Sequence, residues 1–160
     1  MATAVEQILV LKQRKEDRAQ TAARAARLAL EQAAQKVERC RSEAEAFSRH
    51  LVARQASLYD ELESRVCLPS DIEAVREEIA GLRRREAALQ AEVQAAEQER
   101  RTAAQAADAA RQSHLEAVKK VEKFNRLVEF EQAESEARRQ AEEDTAIDEF
   151  IPLGEPADVQ

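Results

Sequence analysis

The sequence predicts an all-α protein: a single long antiparallel two-helix coiled-coil hairpin with a projecting C-terminal helical overhang. Three observations lead to this prediction. The 160 residues include only two glycines and three prolines, and 36% are charged, which is typical of long helices and coiled coils. Apolar residues recur at intervals of three and four in both halves of the chain. One break near residue 69 interrupts this pattern, so the chain can reverse once near its midpoint.

The first half predicts a helix from about residue 4 to residue 66, after three residues that we expect to fray. Lys12 and Lys15 interrupt its apolar stripe, and the step from Ala26 to Leu30 breaks the strict heptad, which predicts a local stutter. We call the stripe of side chains that faces the other helix the seam. The predicted seam of helix 1 consists of Val5, Ile8, Ala19, Ala22, Ala26, Leu30, Ala33, Val37, Cys40, Ala44, Phe47, Leu51, Leu58 and Leu62.

The reversal is predicted at about residues 67–70. Pro69 has no backbone N–H and disfavours helical geometry at Leu68, so a helix arriving from the N-terminal side should stop there. Ser70 can then begin the second helix as its N-cap. Its hydroxyl would accept from the N–H of Glu73, and the Glu73 carboxylate would accept from the N–H of Ser70, which together form a capping box.

The second helix is predicted from about residue 71 to residue 144, followed by an acidic, flexible tail over residues 145–160. Fourteen of its eighteen predicted seam residues are apolar, which indicates a coiled-coil period. Glu86 and Arg100 are charged seam residues, which we expect to bend outward or to meet polar partners; a contact with another protein is the alternative. The predicted seam consists of Ile72, Val75, Ile79, Leu82, Glu86, Leu89, Val93, Ala96, Arg100, Ala103, Ala107, Ala110, His114, Ala117, Val121, Phe124, Val128 and Glu131.

Folding about the turn pairs residues whose numbers sum to about 137. The middle of the hairpin is then almost entirely alanine, which buries little apolar area, so we expect this stretch to be weakly stable. Residues beyond about Glu136 have no counterpart in helix 1, and the end of helix 2 should project alone. A helix of about 65 residues spans close to 100 Å.

Charge and cysteine content exclude several classes of protein. The formal net charge is −7, and the stretch Glu129–Glu149 holds nine acids and two bases, so nucleic acid is an unfavourable partner for the whole surface. The sequence shows no secretory signal and no long apolar run that could span a membrane. Cys40 and Cys67 would lie about 40 Å apart on one helix. They therefore cannot bridge within a chain, and they fit a reducing cytosol, with Cys40 on the seam and Cys67 exposed at the turn.

The sequence predicts no enzyme, no cofactor and no metal site. It has no glycine-rich phosphate loop, and a slender hairpin offers no concave pocket in which to exclude water. His50 and His114 are predicted at levels of the hairpin that do not meet, so they cannot converge on a metal ion. The basic stretches, Lys12–Arg18 among them, are interpreted first as solvated helix faces.

Two segments resemble a known family. They are the N-terminal stretch Gln7–Ala19 and the stretch that begins Val121-Glu122-Lys123-Phe124-Asn125, continues through Glu136 and ends Ile147–Phe150. Here the chain resembles the coiled-coil stalk proteins of bacterial type III secretion, the YscO/FliJ/SpaM-like family, and its YscO branch more than the flagellar one. The resemblance implies a virulence-associated cytoplasmic protein, peripheral at the secretion apparatus of the inner membrane.

The resemblance also implies partners. A stalk of this family inserts into the hexameric export ATPase, links it to the cytoplasmic domain of the export gate, and in some members escorts export chaperones. We expect the free chain to be monomeric. The alternatives are a self-associating scaffold, in which a second hairpin covers Leu115, Val118 and Leu127, and an export chaperone alone. The candidate protein-binding residues are Lys12, Arg14, Asp17, Arg18, Lys123, Phe124, Glu131, Asp148, Glu149 and Phe150.

Overall fold

A computed structural model describes residues 1–150, in which there are two α-helices. Helix α1 is Ala4–Glu63 and helix α2 is Pro69–Phe150. The helices pack against each other and hydrogen-bond through side chains such as those of Arg54 and Glu78, which confirms the predicted all-α helical hairpin. The chain divides into two compact units. The terminal unit comprises Met1–Gln20 and the chain from Ser113 onward, and the turn unit comprises Thr21–Gln112.

The helix bounds differ from the sequence prediction at three ends. Helix α1 ends at Glu63, before the predicted residue 66, and α2 begins at Pro69, before the predicted residue 71. Helix α2 also continues through Phe150 instead of ending near residue 144. Residues 145–150 of the predicted tail are therefore helical. The remaining tail residues, 151–160, lie outside the described residues.

Helix α1 begins at Ala4 as predicted, and its start is capped. The backbone N–H of Thr3 donates to Oε2 of Glu6 at 2.9 Å, and the N–H of Glu6 donates to Oγ1 of Thr3 at 3.2 Å. This reciprocal pair is a capping box, in which two of the unpaired donors at a helix N-terminus are satisfied. Sequence reasoning did not identify this cap, although its Thr-x-x-Glu pattern stands directly before an apolar run.

The start of α2 is also capped, but not by the predicted residues. Pro69 occupies the first helical position, where its missing N–H costs nothing. The N–H of Leu68 donates to Oδ2 of Asp71 at 3.0 Å, and the N–H of Asp71 donates back to the carbonyl of Leu68 at 3.0 Å. Leu68 is therefore the N-cap, and the prediction of Ser70 was wrong. Asp71 takes the role predicted for Glu73, whose carboxylate lies 3.4 Å from a guanidinium nitrogen of Arg76.

Cys67 hydrogen-bonds to the C-terminal end of α1. Its Sγ lies 3.1 Å from the carbonyl oxygen of Leu62, to which the thiol donates, and the residue is half-buried. The last carbonyls of a helix have no partner within the helix, so the thiol satisfies one of them. The prediction of an exposed Cys67 was therefore wrong. Cys40 is half-buried on the seam as predicted, and both thiols are free.

The predicted seam of α2 is confirmed at all but two positions. Ile72, next to the turn, is 41% exposed, and Arg100 is exposed as well; the other predicted seam residues are buried or half-buried. The long side chain of Arg100 bends outward because a guanidinium is costly to desolvate. Five members of the seam are buried: Ile79, Leu89, Ala96, Val121 and Val128.

The seam of α1 keeps an unbroken heptad, and the predicted stutter was wrong. The prediction chose Ile8 and Ala22, but Leu9 is half-buried and Ala23 is buried in their place. Apolarity alone cannot distinguish two neighbouring apolar residues, whereas the heptad phase can. Taken at intervals of seven, the buried and half-buried residues are Leu9, Glu16, Ala23, Leu30, Val37, Ala44, Leu51 and Leu58.

Side-chain pairs across the turn unit follow the predicted pairing. Their residue numbers sum to between 132 and 138, close to the predicted value of about 137, and their donor–acceptor distances are 2.5–2.9 Å. The pairs are Lys36–Glu99, Arg41–Glu97, Ser48–Glu86 and Arg54–Glu78.

Glu86 shows how one charged residue is accommodated on the seam. It is half-buried, and its Oε1 accepts from the hydroxyl of Ser48 at 2.8 Å. The predicted polar partner is therefore present, although it is a neutral hydroxyl and not a cation. Because a slip by one residue would separate the two groups, this hydrogen bond favours the observed register.

Candidate partner-binding site

The two segments that predicted a partner site meet in the terminal unit. Lys12 of α1 and Phe124 of α2 are half-buried seam residues that lie opposite each other. The Nζ of Lys12 lies 5.6 Å from the centre of the Phe124 ring. This distance is within the range of a cation–π interaction, which compensates for the placement of an ammonium group on an apolar seam.

Two hydrogen bonds fasten the first turn of α1 to α2. Oγ1 of Thr3 donates to Oε2 of Glu131 at 3.2 Å, and Nε2 of Gln132 donates to Oε1 of Glu6 at 3.4 Å. Thr3 and Glu6 are also the residues of the α1 capping box. Glu131, a predicted binding residue, is half-buried and so has a structural role in the described chain.

The remaining predicted residues divide into two groups. Arg14, Asp17, Arg18 and Lys123 are exposed on the outer surfaces of the terminal unit, beside the Lys12–Phe124 contact. The second group is the exposed Asp-Glu-Phe sequence at positions 148–150. It begins seventeen residues after Glu131, which is about 26 Å along a helix. The first group therefore lies on the paired part of the two helices, and the second group lies beyond it on α2.

The C-terminal part of α2 is exposed on all sides. Every residue from Gln132 to Phe150 is exposed, and we call this segment the exposed end. Arg139 pairs with Glu136 at 2.6 Å and with Glu143 at 3.9 Å. The segment holds seven acidic and two basic residues, so its net charge is strongly negative. Phe150 is 87% exposed. The exposed end is thus an acidic helix of about 28 Å with an apolar side chain at its tip.

The two sides of the terminal unit differ in charge. One shallow groove between the helices is lined by Lys12, Lys15, Ser113, Glu116, Ala117 and Lys120. We call the surface on this side the basic groove. The other side has a groove lined by Thr3, Glu6, Glu131, Gln132, Ser135, Glu136 and Arg138. The same pair of helices therefore presents a basic surface on one side and an acidic surface on the other.

Sequence reasoning missed Lys15 and Lys120 as members of a common surface. Their numbers sum to 135, so the pairing about the turn could have placed them opposite each other. The prediction treated Lys15 as an interruption of the apolar stripe and as part of a solvated helix face, because it did not extend the heptad phase through the polar positions. Both residues are exposed, and both line the basic groove.

The histidines take no part in this site. His50 lies beside Phe47, with 5.8 Å between the ring centres, and His114 is half-buried on the seam. In the described part of the chain no group of three or more potential ligands is arranged to hold a metal ion. Neither α1 nor the described length of α2 contains an apolar stretch that could span a membrane.

Comparison with known proteins identifies the family. The family of type III secretion protein YscO matches residues 5–152, which include both segments described above. The chain belongs to the YscO family. The predicted resemblance is therefore confirmed, and the chain is assigned to a family of secretion proteins.

A solved structure of the YscO family supports the fold. The crystal structure of type III secretion protein YscO from Vibrio parahaemolyticus, at 2.8 Å resolution, superimposes with a TM-score of 0.83. The two sequences are 25% identical, and the match covers 91% of this chain and 92% of that one. No curated protein sequence matches the chain significantly.

Proposed function

We propose that this chain is the central stalk of a type III secretion system and that its terminal unit inserts into the hexameric export ATPase. The observation that carries the proposal is the exposed end of α2 in a member of the YscO family. The protein would act in the cytoplasm, at the secretion apparatus of the inner membrane. It would couple the ATPase to the cytoplasmic domain of the export gate, and it could also escort export chaperones.

The exposed end has the properties of a protein-binding segment. Its first residue, Gln132, donates a hydrogen bond to Glu6, and from there it continues α2 with every side chain exposed. In proteins most helical stability comes from tertiary packing, which this segment lacks. Ile147 and Phe150 are 56% and 87% exposed, so a ring of protein around them would remove apolar surface from water.

The mechanism would be mechanical. A stalk of two unlike helices lacks the six-fold symmetry of a hexameric ring, so its contacts differ from one ATPase subunit to the next. The terminal unit adds to this inequality because its two sides carry opposite charge. Unequal contacts would bias which subunit binds and hydrolyses ATP, and a stalk that promotes ring closure would also favour hexamer assembly.

Removal of the exposed end tests this proposal. A chain that stops after Glu136 keeps Glu131 and Gln132, which hydrogen-bond to α1, and should fold normally. We expect it to lose binding to the ATPase of the same organism, measured by pull-down, together with the stimulation of hexamer formation and ATP turnover. A chain that stops after Phe150 is the control, because it keeps the whole exposed end.

A neutralised variant separates charge from length. Three acids of the exposed end are changed in Glu142→Gln, Asp144→Asn and Glu149→Gln. The matched control removes three exposed acids of the turn unit in Glu31→Gln, Glu43→Gln and Glu63→Gln. Binding to the ATPase that survives both the truncation and the neutralisation would disprove the exposed end as a contact with the ATPase.

Exposed apolar residues keep the scaffold alternative open. Leu115 and Leu127, two of the three residues predicted to face a second hairpin, are 45% and 42% exposed, whereas Val118 is half-buried. The molecular mass in solution distinguishes the two functions. A mass that stays monomeric at all concentrations supports the stalk, and a tight dimer without affinity for the ATPase supports the scaffold.

A further inference from the structure

The basic groove continues into an exposed apolar surface. Lys15 and Lys120 line this groove from α1 and α2. Positions one heptad away on the same face are Ile8 and Leu127, which are 39% and 42% exposed. The side of the terminal unit that is basic at Lys15 and Lys120 is therefore apolar one heptad closer to the chain termini.

The apolar surface widens outward from the groove. Residues three positions apart share a helix face, so Leu11 extends the surface beside Ile8 and Phe130 extends it beside Leu127. Leu11 is 55% exposed and Phe130 is 68% exposed. A cluster of exposed large apolar side chains bordered by charged groups is characteristic of protein interaction surfaces.

The lysines on this side are available to a partner. The ion pairs of the described residues use other cations, namely Lys36, Arg41, Arg54, Arg76, Arg84 and Arg139. Lys15, Lys120 and Lys123 are exposed, and they form no ion pair within the part of the chain that the structure describes. Glu116 is the one acid that lines the groove. The local charge is positive in a protein whose net charge is −7.

We propose that this side of the terminal unit binds an acidic amphipathic helix on the subunits of the secretion ATPase. The surface, called the lysine–phenylalanine face, consists of Ile8, Leu11, Lys15, Lys120, Lys123, Leu127 and Phe130. The proposal rests on the proposed function and names the surface that makes the contact. The apolar residues receive the apolar stripe of the partner helix, and the lysines pair with carboxylates beside that stripe.

The size of the face fits such a helix. From Ile8 to Lys15 the α1 edge extends over seven residues, and from Lys120 to Phe130 the α2 edge extends over ten residues, which is about 11 to 15 Å. That length matches two to three turns of a bound helix. The acidic side of the terminal unit, which contains Glu6 and Glu136, would repel the same partner, so the charge of the two sides also fixes its orientation.

Charge reversal on one helix tests the proposal. The face variant carries Lys120→Glu and Lys123→Glu, and the control variant carries Lys119→Glu and Arg126→Glu. All four residues are exposed on α2, and both variants change the net charge by the same amount. Lys119 and Arg126 occupy the heptad position that points away from α1. Affinity for the purified ATPase is measured by calorimetry with the full chain at several salt concentrations.

We expect the face variant to bind the ATPase at least about tenfold more weakly than the wild type at low salt, because each reversal replaces an attraction by a repulsion. The control should change the affinity less than about twofold, and the difference should shrink as salt rises. Phe130→Ser should also weaken binding, whereas Val10→Ser, at a residue that is 46% exposed on another face of α1, should not. Circular dichroism shows whether each variant keeps its helices, and Lys120→Gln is a milder replacement if a reversal unfolds the chain.

The outcomes separate the face from the proposed function. If the wild type and both variants bind the ATPase equally well, the stalk function stands and the lysine–phenylalanine face is disproved as the contact. If the wild type does not bind, both proposals fail. If the face variant binds the ATPase normally but has a lower molecular mass in solution than the free wild type, the face is assigned to a contact with a second copy of the chain. If the face variant binds the ATPase normally but no longer binds single-stranded nucleic acid that the wild type binds, the face is assigned to a polyanion.

Discussion

Two stretches of the turn unit show how differently the same helix pair can be held together. Near the turn, the seam contains Leu51, Leu58, Ile79 and Leu89, each no more than 8% exposed. Farther from the turn, the facing residues are Ala23, Ala26, Ala103, Ala107 and Ala110. The first stretch buries large side chains, while the second buries little apolar area because its facing side chains are single methyl groups. Within the turn unit we therefore expect stability to be concentrated near the turn, and the alanine stretch to depend on it.

Leu58→Ala places an alanine in the stretch near the turn, which we call the leucine stretch. Leu58 is 3% exposed, and the truncation removes a buried side chain and leaves a cavity, so we expect a loss of about 2–4 kcal/mol in the free energy of unfolding. Urea denaturation followed by circular dichroism measures it. The control Tyr59→Ala changes a neighbouring residue that is 47% exposed, and its effect should stay within about 0.5 kcal/mol. Equal losses in the two variants would contradict the comparison.

Hydrogen exchange examines the two stretches without mutation. We expect the amides of residues 103–110 to be protected about tenfold less than those of residues 79–89, since local opening of the alanine stretch exposes less apolar surface and so costs less. Mass spectrometry of peptides, with intrinsic rates divided out, gives the two protection factors. Uniform protection along α2 would mean that the helix pair opens only as a whole.

Ser48→Ala leaves Glu86 on the seam without its hydroxyl donor. Glu86 is half-buried and accepts at 2.8 Å from Ser48, so the loss should lower the free energy of unfolding by about 1 kcal/mol. Ser57→Ala, at an exposed serine of the same helix, is the control, for which we expect a much smaller change. Thermal unfolding of both variants tests whether the leucine stretch depends on this polar pair as well as on its apolar side chains.

Gly81→Ala should strengthen the leucine stretch further. Gly81 lies within α2, and a Cβ at this position would meet a guanidinium nitrogen of Arg84 at 3.7 Å, an ordinary contact. Alanine is favoured over glycine in a helix interior by about 0.8–1.0 kcal/mol. We expect a higher melting temperature with unchanged helix content. A lower one would indicate that the side chain disturbs the packing between the helices.

The smallest expected effect is a pH dependence of stability, which comes from the Arg41–Glu97 pair between the two stretches. The hydrogen bond from Arg41, aided by the charge of that guanidinium, lowers the pKa of Glu97 below its usual value, although partial desolvation opposes the shift. A carboxyl whose pKa is lowered by folding stabilises the fold above its unfolded pKa, and this contribution is lost as the pH falls through the folded pKa. Glu97→Gln should therefore melt below the wild type at neutral pH, and the difference should disappear in acid. An undiminished difference at low pH would assign the effect to packing.

The sequence predicted the path of α2 better than that of α1, for a physical reason. In α2 the large apolar residues on both sides of the alanine stretch establish one heptad phase, and only Ile72 and Arg100 depart from the predicted seam. In α1 neighbouring apolar residues compete, such as Ile8 with Leu9, and local hydrophobicity cannot decide between them. Packing against α2 decides which of the two residues lies on the seam, because one continuous heptad must face the partner helix along its whole length. Extension of that heptad through polar Lys12 and Glu16 would have given the correct phase.

The candidate site was predictable in part. The pairing of residue numbers about the turn is enough to bring Lys12 to Phe124. The cap formed by Thr3 and Glu6 was written in the sequence as a Thr-x-x-Glu pattern, but its hydrogen bonds to α2 required the exact stagger of the helices. The charge difference between the two sides could not be read from composition. It depends on which side of each helix carries each lysine, and hence on the heptad phase that sequence reasoning had misplaced in α1.

The reversal between Glu63 and Pro69 places few demands on residue type. No described residue in it requires positive φ, Val66 is 98% exposed, and the defining contacts are those of Leu68 with Asp71 and of Cys67 with Leu62. A fluorescent label or a short peptide tag at Val66 would therefore leave the helix ends intact. Such a reporter would allow the movement of this protein to be followed in a working secretion apparatus.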